Sequence, residues 1–88
     1  MSSITAKVRI FPSDVNISSE DILKSIREKL PKDIVVKNKF EEPIAFGIVA
    51  LIVSFQFEEG EGVMDTLENI INSLPTVGQH DIIGLSRS

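Results

Sequence analysis

Apolar and polar residues alternate along the first regular stretch of the chain, residues 4–11. Its even-numbered positions are all apolar: Ile4, Ala6, Val8 and Ile10. The intervening positions are polar as far as Arg9. Side chains of a strand point alternately to opposite faces, so this pattern predicts a strand with one apolar face. Pro12 and Ser13 then interrupt the alternation.

Residues 16–33 carry the signals of a helix with a defined start. Ser18 is a favoured N-cap residue, and Asp21 stands three positions later, close to the arrangement of a capping box. Apolar residues then recur at helical spacing and predict one apolar stripe: Ile22, Leu23, Ile26 and Leu30. Pro31 is expected to end the helix, because proline cannot continue the helical hydrogen-bond pattern.

Two further strands are predicted in the middle of the chain. Residues 33–42 form a polar, lysine-rich segment, which is typical of a strand at a sheet edge. Pro43 separates it from residues 44–57, which are apolar on both sides as far as Val53, apart from Gly47. The many β-branched residues favour a strand, and two apolar faces predict a central place in the sheet.

The end of the chain adds a turn, a helix and a last strand. Residues 58–62 predict a turn, residues 63–74 place apolar side chains on one helical face, and residues 77–86 predict a strand at a sheet edge. The order βαββαβ, with right-handed crossovers, predicts a ferredoxin-like α+β sandwich. Its four-stranded antiparallel sheet is expected in the order 4-1-3-2, with both helices on one face. Residues 1–88 are expected to form a single domain.

The third predicted strand has two apolar faces, and this fold covers only one of them. Its odd-numbered residues stay apolar to the end, so they are expected to face the helices. Its even-numbered residues include Phe46, Ile48 and Ile52, which are expected to form an apolar patch on the open face. Such a patch usually marks an interaction surface.

The composition excludes several classes of protein. The net charge of −4 argues against a dominant nucleic-acid role, which usually needs a basic surface. The absence of cysteine excludes disulfides and cysteine-ligated metal sites. The N-terminus has no apolar signal core, and residues 44–53 are too short for the ~20 residues of a membrane-spanning helix. We therefore expect a cytoplasmic protein without membrane attachment.

Candidate catalytic and ligand-binding residues are scarce. His80 is the single histidine, and its place in an edge strand predicts a surface residue without a role. The acidic turn, residues 58–61, lacks the ligand spacing of a calcium loop. The chain contains neither a P-loop nor a GxGxxG motif. We expect no metal, no cofactor and no covalent chemistry, so the protein is not expected to be an enzyme.

Two features remain unexplained. The segment PIAFGI, residues 43–48, would place the ring of Phe46 at the rim of the sheet beside Gly47, unless Phe46 belongs to the core. The C-terminal segment DIIGLSRS has Asp81 beside apolar residues and ends in a penultimate Arg87. The alternative for Arg87 is a frayed tail without function.

The segments that carry these two features resemble segments of one protein family. Residues 41–51, EEPIAFGIVAL, are similar to its segment of a proline, two small residues, an aromatic residue, glycine and isoleucine. Residues 77–88, VGQHDIIGLSRS, are similar to its closing Val-x-x-x-Asp-Ile segment with a basic residue one position from the end. The family is elongation factor 1-beta, in its archaeal form and in the C-terminal exchange domain of its eukaryotic counterpart. The similarity covers nearly the whole chain.

The resemblance implies a function in nucleotide exchange on elongation factor 1-alpha, the GTPase that delivers aminoacyl-tRNA. The acidic net charge suits such a partner better than tRNA itself, so no direct contact with nucleic acid is expected. The resemblance also implies that Phe46 contacts this partner, with Gly47 and Ile48 in the same segment. Asp81 belongs to the second similar segment and is also expected at the partner surface. Arg87 stands at the position of a basic residue that reaches toward the partner's magnesium and phosphate site.

The chain departs from the family near its end. It closes with Arg87 and Ser88, where the eukaryotic members have lysine followed by an aliphatic residue, and Gly84 stands where the family often has alanine. Arginine is bulkier than lysine and carries a forked head, so it need not insert in the same way.

A second class of function stays open, namely a ferredoxin-like regulatory or homodimerisation module. In that case the apolar patch on the open face would pair with a second copy of the chain. Size-exclusion chromatography with light scattering distinguishes the two classes, because the exchange factor is expected to be a monomer when free.

Overall fold

The computed structural model describes residues 2–87. Its elements follow the predicted order: β1 (Ser3–Pro12), α1 (Ser19–Lys29), β2 (Val35–Ala45), β3 (Ile48–Glu58), α2 (Val63–Ser73) and β4 (Val77–Arg87). The four strands form one sheet in the order β2-β3-β1-β4, and every pairing is antiparallel. This is the predicted order counted from the other edge, so the ferredoxin-like α+β architecture is confirmed. Neither of the helices in residues 2–87 is long and apolar enough to cross a membrane.

The core lies between the two helices and one face of the sheet. The even-numbered residues of β1 and the odd-numbered residues of β3 point into it, as predicted from the alternation. The strands contribute Ala6, Val8, Ile10, Leu51, Val53, Phe55 and Phe57, all buried. The helices contribute Ile22, Leu23, Ile26, Leu67 and Ile71, also buried. Within residues 2–87 no helix covers the opposite face of the sheet, which we call the open face.

The start of α1 is confirmed in detail. Ser18 is the N-cap: its hydroxyl accepts a hydrogen bond of 3.1 Å from the backbone N–H of Asp21. In return, the carboxylate of Asp21 accepts one of 3.1 Å from the backbone N–H of Ser18. The two bonds complete a capping box. The helix ends at Lys29, with Leu30 as its C-cap just before Pro31.

The predicted boundary between the second and third strands is wrong. β2 continues through Pro43 to Ala45, and the chain reverses at Phe46 and Gly47 before β3 begins at Ile48. β2 lies at a sheet edge, where a proline is tolerated because no neighbouring strand needs its missing N–H. The long apolar run therefore contains a tight hairpin turn between two strands, which its composition conceals.

Candidate functional site

Phe46 lies at the tip of the β2–β3 hairpin, and its side chain is almost free of contacts. The residue is 95% exposed. It therefore belongs neither to the core nor to the open face of the sheet, so its predicted place on that face is wrong. The prediction failed because the reversal at Phe46 and Gly47 removes both residues from the alternation of β3.

The backbone of this turn is unusual for a phenylalanine. Phe46 has a φ of 55°, and Gly47 has a φ of 79°. Positive φ at both central residues is the pattern of a type I′ hairpin turn, which favours asparagine, aspartate or glycine at the first position. Phe46 is the only residue other than glycine with positive φ within residues 2–87. A large apolar side chain that is exposed and disfavoured by its backbone points to a function outside folding.

The apolar residues on the open face differ from those predicted. Ile52 pairs with Phe40 on β2, so both side chains point to this face. Phe40 is 56% exposed and Ile52 is half-buried. We call these two residues the open-face patch. Phe40 was not predicted on this face because it stands in a lysine-rich segment. Ile48 shares the face of Ile52, as predicted, and lies half-buried beside Ala45 at the base of the hairpin.

An ion pair crosses the open face beside this patch. The Nε of Arg9 on β1 lies 2.9 Å from the Oε1 of Glu42 on β2. β3 runs between these two strands, and the residue paired with Glu42 is Ala50, which is fully buried. The small side chain of Ala50 lets the two longer ones meet above it. The charged pair therefore interrupts the apolar surface of the open face.

Arg87 is the last residue of β4 and pairs with Ile4 of β1. This pairing contradicts the alternative of a frayed tail. One guanidinium nitrogen, Nη2, donates a hydrogen bond of 2.6 Å to Oε2 of Glu59. The side chain of Arg87 nevertheless remains 67% exposed. Arg87 thus presents a positive charge at the end of the sheet, beside the acidic turn.

An open cavity of about 310 Å³ lies next to Arg87. Its apolar wall includes Ile4, Phe57, Met64 and Leu85, and Leu85 is 61% exposed. This end of the sheet therefore combines an apolar hollow with an accessible cation, an arrangement suited to packing against another macromolecule.

Two further β4 residues discussed above, His80 and Asp81, lie on different faces of the sheet. Asp81 pairs with Arg9 and is exposed on the open face. His80 pairs with Ile10 and so points toward the helices, where its Nε2 lies 3.6 Å from Oε1 of Glu68. Its side chain is only 12% exposed, so its prediction as a surface residue is wrong. The neighbouring helix α2 covers it, although β4 lies at the sheet edge.

The predicted site residues do not form one cluster. Phe46 precedes the start of β3 at Ile48, whereas Arg87 pairs with Ile4, which pairs with Phe57 near the other end of β3. At ~3.3 Å per strand residue, the two ends are about 30 Å apart. The molecule is 43 Å long along its longest axis. The turn with Phe46 and the cation of Arg87 therefore mark opposite ends of the sheet, with Asp81 between them.

The described residues contain no group of three or more histidine, aspartate or glutamate side chains placed to hold a metal ion.

The position of Gly84 has no steric requirement for glycine, because a Cβ there would meet the Cβ of Lys7 at an ordinary 3.5 Å. The alanine expected from the resemblance would therefore fit this strand.

The chain matches a known family over nearly its whole length. The family described as the EF-1 guanine nucleotide exchange domain matches residues 5–87. The chain is 36% identical to the elongation factor 1-beta of Sulfurisphaera tokodaii over 88 residues, which cover 99% of this chain and 97% of that protein. It is 33% identical to the elongation factor 1-beta of Saccharolobus solfataricus with the same coverage. A match of this extent, on a βαββαβ fold with both similar segments inside it, shows that the chain belongs to the family of EF-1 guanine nucleotide exchange domains.

Proposed function

We propose that this protein binds elongation factor 1-alpha and promotes the release of its GDP during translation elongation. The observation that carries the proposal is the extent of the family match, which spans residues 5–87 and so includes both the Phe46 turn and Arg87. The related proteins at 33–36% identity are themselves named elongation factor 1-beta.

The geometry supports contact with the partner at two separated points. Phe46 offers an exposed aromatic ring at one end of the sheet, and Arg87 offers an exposed charge at the other. An aromatic residue that becomes buried is a usual anchor of a protein interface. A charge that reaches an anionic site can act there without carrying most of the affinity. Because the two lie about 30 Å apart by strand rise, one partner surface, or two neighbouring domains of the partner, must extend along the whole sheet. Gly47 and Ile48 directly follow Phe46, and Asp81 lies on the sheet between its two ends.

Arg87 supplies the step that weakens nucleotide binding. A GTPase holds the phosphates of GDP through Mg²⁺ and backbone N–H groups. A guanidinium placed at that site competes with Mg²⁺ for the same oxygen atoms and reduces the electrostatic attraction that retains GDP. No covalent bond changes, so the mechanism requires no acid, base or nucleophile. By thermodynamic reciprocity, GDP weakens binding of the factor as much as the factor weakens binding of GDP.

The direct test measures the release of fluorescent GDP from elongation factor 1-alpha with and without this protein, in excess unlabelled nucleotide. We expect a faster release that rises with the concentration of the protein and then saturates. A release rate that stays at the intrinsic value at every concentration would contradict the proposed function.

Phe46→Ala is expected to weaken binding of elongation factor 1-alpha by roughly 1–3 kcal/mol, the range for loss of an aromatic anchor, with no loss of thermal stability. The ring has almost no contacts within the protein to lose. The measurements are titration calorimetry for binding and thermal unfolding for stability.

Phe46→Asn is the matched control, because asparagine suits the positive φ of this position while it also removes the ring. It should weaken binding as much as Phe46→Ala and leave the turn at least as stable. If instead either variant bound the partner like the wild type, the ring would not be an anchor.

We also propose that the free protein is a monomer. The apolar surface needed for a self-pairing sheet is interrupted by the ion pair of Arg9 and Glu42, and Phe46 lies outside that face. Light scattering after size-exclusion chromatography should give the mass of one chain across the micromolar range. A stable dimer would favour the regulatory or assembly module over the exchange factor.

A further inference from the structure

We infer that Glu59 holds Arg87 in a resting position in the free protein, and that Arg87 must leave Glu59 before it acts on the partner. The inference rests on the function proposed for Arg87. It adds a second residue, in a different part of the chain, that sets how readily the cation becomes available.

Backbone pairing with the start of β1 holds Glu59 and Arg87 next to each other. Arg87 is held in β4 by its pairing with Ile4. Glu59 follows the end of β3, and its backbone N–H donates a hydrogen bond of 2.9 Å to the carbonyl oxygen of Ser2. Both of these backbone contacts lie at the same end of β1. The sheet itself therefore brings the carboxylate and the guanidinium to their 2.6 Å contact.

The ion pair of Arg87 and Glu59 is weak enough for Arg87 to leave it for another anion. It joins one guanidinium nitrogen to one carboxylate oxygen, not the two-by-two arrangement of the strongest arginine–carboxylate pairs. The side chains are 67% and 41% exposed, so water and salt screen their attraction. A phosphate or carboxylate in a drier site on the partner would bind the guanidinium more strongly than Glu59 does.

The acidic turn also contains a control residue for the role of Glu59. Glu61 carries the same charge and lies close by in the same turn, and it is exposed. Within residues 2–87 the salt bridge of Arg87 is to Glu59, and Glu61 takes part in none. Replacement of either glutamate by glutamine changes the net charge equally, but only Glu59→Gln removes the carboxylate that holds Arg87.

The experiment compares GDP release with the wild type, Glu59→Gln and Glu61→Gln, each alone and combined with Arg87→Ala. We expect Glu59→Gln to release GDP about 1.5- to 5-fold faster than the wild type, the range that corresponds to an exposed ion pair. Glu61→Gln should match the wild type. The gain should vanish in the Arg87→Ala background, and it should shrink at high ionic strength because salt already weakens the pair.

The outcomes separate the resting contact from the proposed function. If the wild type does not accelerate release, the proposed function fails and the role of Glu59 fails with it. If the wild type is active but Glu59→Gln is no faster than Glu61→Gln, or is slower, only the resting contact is overturned. A gain that persists without Arg87 would also overturn it, since the effect would then not depend on the contact between Glu59 and Arg87.

An independent measurement needs no partner. The NMR signals of the Arg87 guanidinium in the free protein should shift in Glu59→Gln and stay unchanged in Glu61→Gln. Unchanged signals in both variants would show that the pair is not formed in solution and would overturn the inference, whatever the exchange rates.

Discussion

Replacement of Arg87 by alanine is expected to slow GDP release from elongation factor 1-alpha by roughly 30- to 1000-fold, while binding of the partner is largely retained. The reason is that a charge aimed at a desolvated anionic site commonly contributes ~2–4 kcal/mol, which corresponds to this range in rate. Binding persists because Phe46 and the rest of the sheet still contact the partner. Stopped-flow release of fluorescent GDP and calorimetry on the same samples measure the two quantities.

The dependence on Mg²⁺ distinguishes this mechanism from a general loss of affinity. If Arg87 acts by displacing Mg²⁺ or weakening its hold on the phosphates, then removal of free Mg²⁺ performs the same task without it. The difference in rate between the wild type and Arg87→Ala should therefore decrease when Mg²⁺ is chelated. A difference that stays constant at every Mg²⁺ concentration would indicate that Arg87 acts elsewhere.

Two control variants complete this test. Arg87→Lys should keep most of the activity, because it keeps the positive charge and the family resemblance implies lysine at the matching eukaryotic position. Arg27→Ala removes another exposed arginine, in the last turn of α1, and should exchange GDP at the wild-type rate. If Arg87→Ala also exchanged at that rate, release would be driven from the Phe46 end and the sheet alone.

Phe55→Ala is expected to lower the free energy of unfolding by roughly 3–5 kcal/mol, the range for removal of a buried aromatic ring. Phe55 lies on the central strand β3 between Ala6 and Val36, and it is fully buried. Small domains have a total stability of only ~5–15 kcal/mol, so this loss is a large fraction of it. Urea unfolding followed by circular dichroism measures the change.

Phe46→Ala serves as the comparison for this variant, because it makes the same change in side chain at an exposed site. It should unfold at the wild-type urea concentration. Equal destabilisation by the two substitutions would mean that Phe46 packs in the core and that its exposure at the hairpin tip is wrong. Wild-type stability of Phe55→Ala would contradict the position of the core itself.

Most of the fold could be predicted from local patterns. The alternation along β1 assigned its buried face correctly, because a strand exposes every second side chain to the same side. The capping box at Ser18 located the start of α1, since its two hydrogen bonds involve only neighbouring residues. The order of the elements, with the right-handed crossover rule, was enough to give the order of the strands.

The hairpin at Phe46 could not be located in this way. Its turn lacks the Asn-Gly or Asp-Gly pair that usually signals a type I′ turn, and both flanking segments are apolar. Pro43 was expected to end the second strand. The strand continues through it because β2 lies at the sheet edge, where a proline is tolerated. The resemblance to a family singled out this segment as a candidate contact with the partner, but the exposure of the ring required the structure.

By itself, the sequence determined the order of the strands and helices, the buried faces of β1 and of the two helices, and which two segments resemble an exchange factor. These properties depend on residues close together in the chain. Only the tertiary structure decided that Phe46 and Arg87 lie at opposite ends of one sheet, and that Glu59 contacts Arg87. These relations join residues distant in sequence. They depend on strand register and on where β1 and β3 end, which composition and periodicity do not specify.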